Sequence, residues 1–378
     1  MRNNDIIMVE VFVMYVPGSE LSEFHKRSPW VMIPLSFKEI GYRSVLICGR
    51  YTLNSTYGID VYSTLSREKS LLKSLAEPFL GFRRIFALKP DILLISPIGS
   101  YLFSIIPLIL IYKIYTRITG SKKTKFVLKT DWSFDFTTIK WYKRIISILL
   151  LGFSSYTFDR ISFETYCGVN RAMAIPIIRA KVLRRVPIGY PQNIGFDLFR
   201  TNSNVEKRIV CVARIAQMKG QIVLLKSFLQ LSKNFPDWQL RFVGPFEDMN
   251  YKSQLDSLIQ ENNIWDKVSF TDFVKESVLL EELKKASIFC LPSIYVENAG
   301  NVKYEAIAAG LPVVTTDVPC REDNEELGCL VSKARDINGL TKNLELLMTN
   351  PQLRRDIAEN SKKKLLSYKD IALLYKDL

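Results

Sequence analysis

Histidine, paired cysteines and long uncharged runs are scarce in this chain of 378 residues, and each shortage argues against a class of protein. His25 is the one histidine, and the six cysteines form no C-x-x-C pair, so a zinc site is not expected. Asp5 and Glu10 interrupt the apolar start of the chain, so no signal peptide is visible and we expect a cytoplasmic location. Three cysteines stand in apolar runs that are typical of reduced core residues: Cys48, Cys211 and Cys290.

Two uncharged apolar stretches, residues 97–112 and 145–158, are each shorter than the roughly 20 residues that a membrane-spanning helix needs. Lysine and arginine follow the first stretch and precede the second. Helices buried against a sheet would give such stretches, and so would helices that rest on an anionic membrane surface. The sequence leaves these two interpretations open.

The excess of basic residues lies entirely in the first half of the chain. Residues 1–200 hold 28 Lys and Arg against 14 Asp and Glu, a difference of +14, whereas residues 201–378 hold 24 of each. A basic half predicts an anionic partner: phospholipid headgroups, a phosphorylated acceptor or nucleic acid. Nucleic acid is the weakest of the three, because the longest basic cluster is SKKTK and no aromatic residues interleave with it.

Short apolar runs alternate with helix-length segments along the first half, which predicts a parallel sheet with helices on both faces. A polar segment at 190–204 interrupts this alternation and is typical of an interdomain linker. The alternation then starts again, so we predict two doubly wound α/β domains, residues 1–195 and 196–360, and a C-terminal helix at 361–378 that packs back towards the first domain. The strands predicted in the first half are Ile6–Val16, Ser44–Cys48, Ile59–Tyr62, Asp91–Ser96, Lys125–Lys129, Arg160–Phe163 and Val182–Pro187.

The segment LPSIYVENAGNVKYEAIAAGLPVV, residues 291–314, has the pattern of a strand, a tight loop, a short helix and a second strand. Gly300 would let the backbone approach a ligand closely, and the N–H groups of Gly300, Asn301 and Val302 would form the positive start of the helix, which suits a phosphate. Glu305 follows one turn after Asn301 on the same face, and Glu297 stands in the preceding loop. Two acids around a phosphate-binding helix start favour a nucleotide-sugar as the ligand.

Three strand-to-loop turns of the second domain add further candidates. Arg214 ends a strand and Lys219 and Gly220 open the next helix, so two cations would hold a diphosphate and neutralise the charge on a departing nucleotide. Gly244 supplies the turn in FVGPFED. A third loop has a backbone that could contact a base: Asp272, Phe273 and Val274.

These motifs follow one another as R-x4-K-G, F-V-G, V-S-F-x-D-F and L-P-S-x3-E-x7-E-A-x-A-A-G-x-P-V-V. In this order they resemble the retaining glycosyltransferases of the GT-B fold, in family 4 (glycosyl transferases group 1). The resemblance covers about residues 182–378, including a linker-like run N-x-G-x-D, whereas the first half matches in layout only. It implies two Rossmann-like domains facing each other across a cleft.

The resemblance also implies an activity: transfer of a sugar from a nucleotide-diphosphate sugar to a glycan or lipid-linked acceptor, with retention of the anomeric configuration. Cell-surface polysaccharide or glycolipid synthesis at the inner face of the membrane would be the setting. Such enzymes use a front-face reaction in which the leaving phosphate takes the acceptor proton, and they need no metal. The chain has no D-x-D pair, so we expect no cofactor beyond the nucleotide-sugar itself.

Individual roles carry over from the resemblance. Arg214 and Lys219 would grip the donor diphosphate, Glu305 would bind the ribose hydroxyls, and Glu297 would contact the hydroxyls of the donor sugar. The backbone of 300–302 would cradle phosphate and sugar, and 272–274 would face the base. After Glu297 the family usually has Gly-Phe-Gly, whereas this chain has Asn-Ala-Gly, so the donor sugar stays open.

Candidates in the first domain are fewer. The family often places a histidine after the fourth or fifth strand, where this chain has Asp131, which would orient an acceptor hydroxyl, act as a base or cap a helix. The first loop offers Gly18 and Ser19 to the donor phosphate and contains His25, for which a structural role is the alternative.

Two other functions stay open at this point. The basic N-terminal half would suit a nucleic-acid-binding protein, and a GT-B chain could also serve as a non-catalytic partner subunit. The presence of every acid and cation that the family uses at the donor argues against lost chemistry. We therefore expect four residues to carry the reaction: Glu297, Asp131, Lys219 and Arg214.

Overall fold

The chain divides into two compact units, each built on its own parallel sheet. The computed structural model describes residues 9–22, 25, 28–64, 71–96, 101–130, 140–190, 205–295 and 301–378, with the backbone alone at 71–75, 276 and 301. The first unit comprises Met1–Pro191 and Leu366–Leu378, and the second comprises Gln192–Leu365.

Seven strands form the sheet in the described part of the first unit, in the order β3-β2-β1-β4-β5-β6-β7. The strands are β1 Val11–Leu21, β2 Arg43–Tyr51, β3 Asp60–Ser63, β4 Ile92–Ile95, β5 Lys125–Thr130, β6 Arg160–Phe163 and β7 Leu183–Arg185. The helices between them are α1 Pro29–Glu39, α2 Leu71–Leu88, α3 Leu102–Thr119, α4 Trp141–Thr157 and α5 Tyr166–Met173. All the strand pairs are parallel, and the four residues of β4 are buried, as expected for a central strand covered on both faces.

The first strand is longer at its C-terminal end than the sequence predicts. We expected a loop to begin at Pro17, but β1 continues to Leu21 past a bulge, and its pairing with β2 resumes at Glu20 and Arg50. Gly18 lies in this bulge with φ +70°, a conformation that glycine adopts without strain. Proline and glycine therefore mark a bulge within the strand here, and not its end.

A six-stranded sheet of the order β10-β9-β8-β11-β12-β13 runs through the described part of the second unit. Its strands are β8 Arg208–Val212, β9 Gln239–Val243, β10 Val268–Thr271, β11 Ile288–Leu291, β12 Val313–Thr316 and β13 Leu330–Ser332. Its helices are α6 Gln221–Leu231, α7 Met249–Glu261, α8 Glu276–Lys285, α9 Asn301–Ala308, α10 Arg321–Glu326, α11 Ile337–Thr349 and α12 Pro351–Lys363. The prediction of two doubly wound parallel-sheet domains is confirmed.

The last helix, α13 Tyr368–Asp377, belongs to the first unit and packs on α1. It begins with a capping box, in which Ser367 and Asp370 exchange side-chain and backbone hydrogen bonds. The hydroxyl of Tyr375 lies 3.1 Å from that of Ser162 on β6, so the end of the chain contributes to the core of the first unit.

Candidate active site

The loops after β8 and β11 meet at the carboxyl edge of the six-stranded sheet. These two strands are hydrogen-bonded neighbours, yet the chain leaves β8 towards β9 on one side and leaves β11 towards β12 on the other. In open α/β sheets, ligands bind at such a reversal, beyond the carboxyl ends of the strands. The predicted donor-binding residues at 214–220 and 300–305 follow these two strands.

Backbone contacts hold the two loops together. The Ile294 N–H donates to the Met218 carbonyl over 2.9 Å. Gly220 has φ +67°, and a Cβ at this position would lie 2.1 Å from the carbonyl oxygen of Pro292. Only glycine satisfies both the left-handed backbone and the close approach. Gly220 therefore allows the loop after β8 to lie directly against the chain that leaves β11.

Positive charge collects in the loop after β8. Arg214 is about half exposed and forms an ion pair with Glu247, and Lys219 ends the 3-10 turn Gln217–Lys219. The pKa of Lys219 is lowered to about 8, first because burial removes water from its ammonium group and second because Arg214 is close, with Cys211 and Glu247 acting in the opposite direction. An anion placed here would stabilise the charged lysine, and a diphosphate is such an anion.

Side chains fix the start of α6 beside this charge. The Gln221 amide nitrogen donates to the Arg214 carbonyl over 2.8 Å, and the Ile222 N–H donates to the Tyr251 hydroxyl over 2.8 Å. Burial raises the pKa of Tyr251 to about 12, so it stays a neutral acceptor for this N–H. Tyr251 was not predicted from the sequence, because a tyrosine on α7 carries no motif.

Gly244 joins the same cluster of loops from the end of β9. Its φ is +142°, and a Cβ there would lie 2.3 Å from the Ala213 carbonyl oxygen. The Ile215 N–H donates to the Pro245 carbonyl over 2.8 Å, which extends this contact. The loop after β9 is thus packed directly against the loop that carries both cations.

The predicted base-facing residues lie further along the same edge. Asp272, Phe273 and Val274 follow β10, the edge strand, which is separated from β8 by β9 alone. At about 4.8 Å between neighbouring strands, this puts β10 roughly 10 Å from β8. The Phe273 ring is exposed, and the backbone N–H of Phe273 donates to the Asp272 carboxylate over 2.6 Å.

The helix α9 begins at Asn301, beyond the loop that follows β11. Val302 and Glu305 are partly buried on this helix, whereas Glu297 and Gly300 lie outside the described residues. Their predicted contacts with the donor therefore stay predictions. Lys303, which the sequence analysis did not single out, is buried and donates to the side-chain oxygen of Asn324 on α10.

The structure describes three of the four candidate site residues in the first unit: Gly18, Ser19 and His25. Ser19 is buried in the bulge of β1, where its hydroxyl donates to the Val16 carbonyl over 2.6 Å, and a Cβ on Gly18 would meet the Tyr101 ring at 2.4 Å. His25 receives the Ser22 N–H on its Nδ1 at 3.2 Å and stacks on Trp30, a structural environment. Asp131 lies outside the described residues.

Two buried carboxylates of the first unit were not predicted. Glu77 on α2 accepts the Thr64 hydroxyl at 2.7 Å and the Tyr15 hydroxyl at 3.2 Å. Burial raises its pKa, while these two hydroxyls and the Gly18 N–H oppose that shift, so Glu77 ties α2 to the bulge of β1. Glu164 forms a buried ion pair with Lys129 at 2.5 Å, at the carboxyl ends of β6 and β5.

Comparison with known protein families identifies the second unit. A model described as glycosyl transferases group 1 matches residues 196–364. Residues 196–364 are a glycosyl transferases group 1 domain. The match spans the whole β8–β13 sheet, and it confirms the family that the motifs of this half resemble.

Two curated relatives are also similar to this chain. An uncharacterized glycosyltransferase of Haemophilus influenzae is 32% identical over 160 residues, which is 41% of this chain and 43% of the relative. The capsular polysaccharide biosynthesis glycosyltransferase CapM of Staphylococcus aureus is 27% identical over 255 residues, 64% of this chain and 66% of CapM. The chain thus aligns with less than half the length of the Haemophilus relative.

A solved structure resembles the whole chain. HepE of Anabaena, determined in complex with UDP and glucose, matches with a TM-score of 0.69 and 13% identity, over 97% of this chain and 98% of HepE. At this identity the match establishes the fold. The GT-B fold class predicted from the motifs is confirmed.

Proposed function

We propose that the chain transfers a sugar from a nucleotide-diphosphate sugar to a glycan or lipid-linked acceptor, with retention of the anomeric configuration. The group 1 domain supports the transferase class. The similarity to CapM, a capsular polysaccharide biosynthesis glycosyltransferase, supports a role in cell-surface polysaccharide synthesis. The similarity to HepE, which binds UDP and glucose, supports a nucleotide-sugar donor.

One observation carries the proposal: the loops after β8 and β11 meet at the reversal of the strand order, with Arg214 and Lys219 on one loop and α9 following the other. Such a reversal is where α/β sheets bind nucleotides. A diphosphate beside Lys219 would also accept hydrogen bonds from backbone N–H groups at the start of α9. The sugar would then extend towards Glu297 and the ribose towards Glu305.

The base would lie towards β10. Along the sheet edge the proposed order is sugar beyond β11, diphosphate between β11 and β8, and base near Asp272, Phe273 and Val274. The roughly 10 Å between β8 and β10 suits the length of a nucleoside attached to a diphosphate held by Lys219.

The chemical step that we propose uses the donor's own phosphate. The acceptor hydroxyl forms the new glycosidic bond on the face from which the nucleotide leaves, the anomeric C–O bond to the phosphate breaks, and the phosphate oxygen takes the hydroxyl proton. Arg214 and Lys219 stabilise the negative charge that develops on that phosphate. We expect these cations to replace a metal, so transfer should persist in EDTA.

Binding of nucleoside diphosphates tests the donor site. Of UDP, GDP and ADP, the matching ligand at a hundredfold excess over its Kd should stabilise the chain by about 2.7 kcal/mol, which thermal melting would register. Lys219→Ala should lose this stabilisation, whereas the control Lys226→Ala, an exposed lysine on α6, should keep it. Stabilisation by none of the three, or equal stabilisation of both variants, would contradict the proposed site.

A further inference from the structure

Two neighbouring helices of the first unit present apolar side chains to solvent. We call this set the α3–α4 face. On α3 it comprises Phe103, Leu110, Ile111, Ile114 and Ile118. On α4 it comprises Trp141, Tyr142, Ile145, Ile146, Leu149, Phe153 and Tyr156.

The opposite side of each helix anchors it in the core of the first unit. Ile105, Ile109 and Tyr112 of α3 are fully buried, and Leu151 of α4 joins the same core. The 18 residues of α3, with a mean hydropathy of 1.5, would suffice to cross a membrane by length and composition. Because the buried side chains of α3, from Leu102 to Tyr112, pack in the core of the first unit, we infer that the helix lies on the domain with one apolar face outward.

The outward residues form stripes with helical spacing. On α4, positions 142, 145, 149, 153 and 156 recur every three or four residues. On α3, positions 110, 114 and 118 recur every four residues, and Phe103 lies seven residues, about two turns, before Leu110. Ile118 is 79% exposed and Trp141 is 74% exposed, so the stripes reach both the end of α3 and the start of α4. Isolated exposed apolar residues need no explanation, but two such stripes side by side mark an interaction surface.

Both stripes lie on one side of the sheet. α3 connects β4 to β5 and α4 connects β5 to β6, and these strands are successive neighbours, so two right-handed crossovers put the helices on the same face. The Lys113 ammonium of α3 donates to the Thr157 carbonyl at the end of α4 over 2.7 Å. The α3–α4 face is therefore one surface.

Positive charge predominates beside this surface in the part of the chain that the structure describes, where Asp159 pairs with Lys113 and Asp91 with Lys122. Residues 101–130 contain six Lys or Arg, and residues 140–158 contain three. Neither range contains Asp or Glu. Lys140, Lys143 and Arg144 are exposed at the start of α4, and Arg117 and Lys123 are exposed at the end of α3. An apolar stripe with cations at both ends matches a layer of acyl chains under anionic headgroups.

We propose that the α3–α4 face docks on an anionic lipid bilayer, with its apolar side chains at the boundary between headgroups and acyl chains and its cations at the lipid phosphates. Charge argues against a second copy of the chain as the occupant, because like-charged helix ends would face each other. Trp141 and Tyr142 are the residue types that favour the interfacial depth of a bilayer.

The proposed docking rests on the proposed function, and it would place the transfer reaction at the membrane surface. α4 starts beyond the carboxyl end of β5, the edge of the sheet at which α/β domains bind ligands. A lipid-linked acceptor in the bilayer would thus enter the first unit next to the aromatic start of the α3–α4 face.

Flotation with vesicles tests the docking. We expect the chain to float with vesicles of phosphatidylcholine containing a third phosphatidylglycerol, and to float far less with pure phosphatidylcholine. Lys140→Glu/Lys143→Glu should lower binding to the anionic vesicles by about tenfold or more. Lys233→Glu/Lys342→Glu, the same change at exposed lysines of the second unit, should bind as the wild type does.

The apolar part needs its own variant. Leu149→Glu/Phe153→Glu should abolish flotation, whereas Leu346→Glu, at a similarly exposed leucine of α11, should not. The blue shift of tryptophan fluorescence on vesicle binding should disappear in Trp141→Phe.

Three results would overturn the docking surface. The first is that the wild type does not float, and the second is that it binds neutral and anionic vesicles equally. The third is that the wild type is a dimer and Leu149→Glu/Phe153→Glu is a monomer, which would assign the face to a second copy. Melting with nucleoside diphosphates uses no lipid, so a failed flotation beside retained ligand stabilisation would refute the docking and leave the proposed transferase standing.

Discussion

The lowered pKa of Lys219 predicts that donor binding weakens as the pH rises above 8. In the free protein this lysine loses its proton with a pKa of about 8, and a bound diphosphate should return the pKa towards the ordinary value of 10.5. At pH 9 about one free molecule in eleven then carries the proton, so Kd for the diphosphate should be about tenfold higher than at pH 7. Isothermal titration across this range should also detect the uptake of one proton at pH 9.

Lys219→Arg is the matched control, because an arginine keeps its charge throughout this range. Its Kd should change little between pH 7 and 9, and any titration of the ligand itself would affect both proteins alike. The pKa of Lys219 is lower in the folded protein than in the unfolded chain, so the contribution of this group to stability rises as the pH goes from 8 to 10.5. Weaker binding in this range would therefore not result from unfolding caused by the titration of Lys219. A wild-type Kd that is flat, or as pH-dependent as that of Lys219→Arg, would refute the assignment.

Three further predictions address the rest of the structure. Glu305→Ala should lower the transfer rate tenfold to a thousandfold, as about 1.4–4 kcal/mol of transition-state stabilisation implies, and a near wild-type rate would remove this residue from the site. Gly220→Ala should abolish nucleotide binding because its Cβ would meet the Pro292 carbonyl, whereas Gly310→Ala, at φ +78° with open space, should retain it; equal Kd values would contradict the close approach. Glu164→Ala should lower the free energy of unfolding in urea by about 3–5 kcal/mol, since it removes the carboxylate that pairs with the buried Lys129 ammonium, and a loss below 1 kcal/mol would disprove that cost.

The second unit was predictable because its motifs fall on strand ends. Arg214, Gly220 and Gly244 were identified from turn chemistry, and the structure places all three at one sheet edge. The sequence could not show that a Cβ on Gly220 would clash with Pro292, because the two residues are 72 positions apart and only the pairing of β8 with β11 brings them together. The pKa of Lys219 likewise depends on burial, which no spacing encodes.

The first unit was predictable in outline only. Its alternation gave the parallel sheet, but the bulge at Gly18 was interpreted as the end of β1, because proline and glycine punctuate loops and bulges alike. The stretches at 97–112 and 145–158 left burial and membrane contact open. The structure shows that each helix has one buried and one exposed apolar face, which composition alone cannot separate.

A nucleotide diphosphate should bind where the loops after β8 and β11 meet. A crystal structure of the chain with UDP tests this most directly. It should show the diphosphate within hydrogen-bonding distance of the Lys219 ammonium and of the first N–H groups of α9. A diphosphate held elsewhere, in the first unit or along another edge of the second sheet, would contradict it.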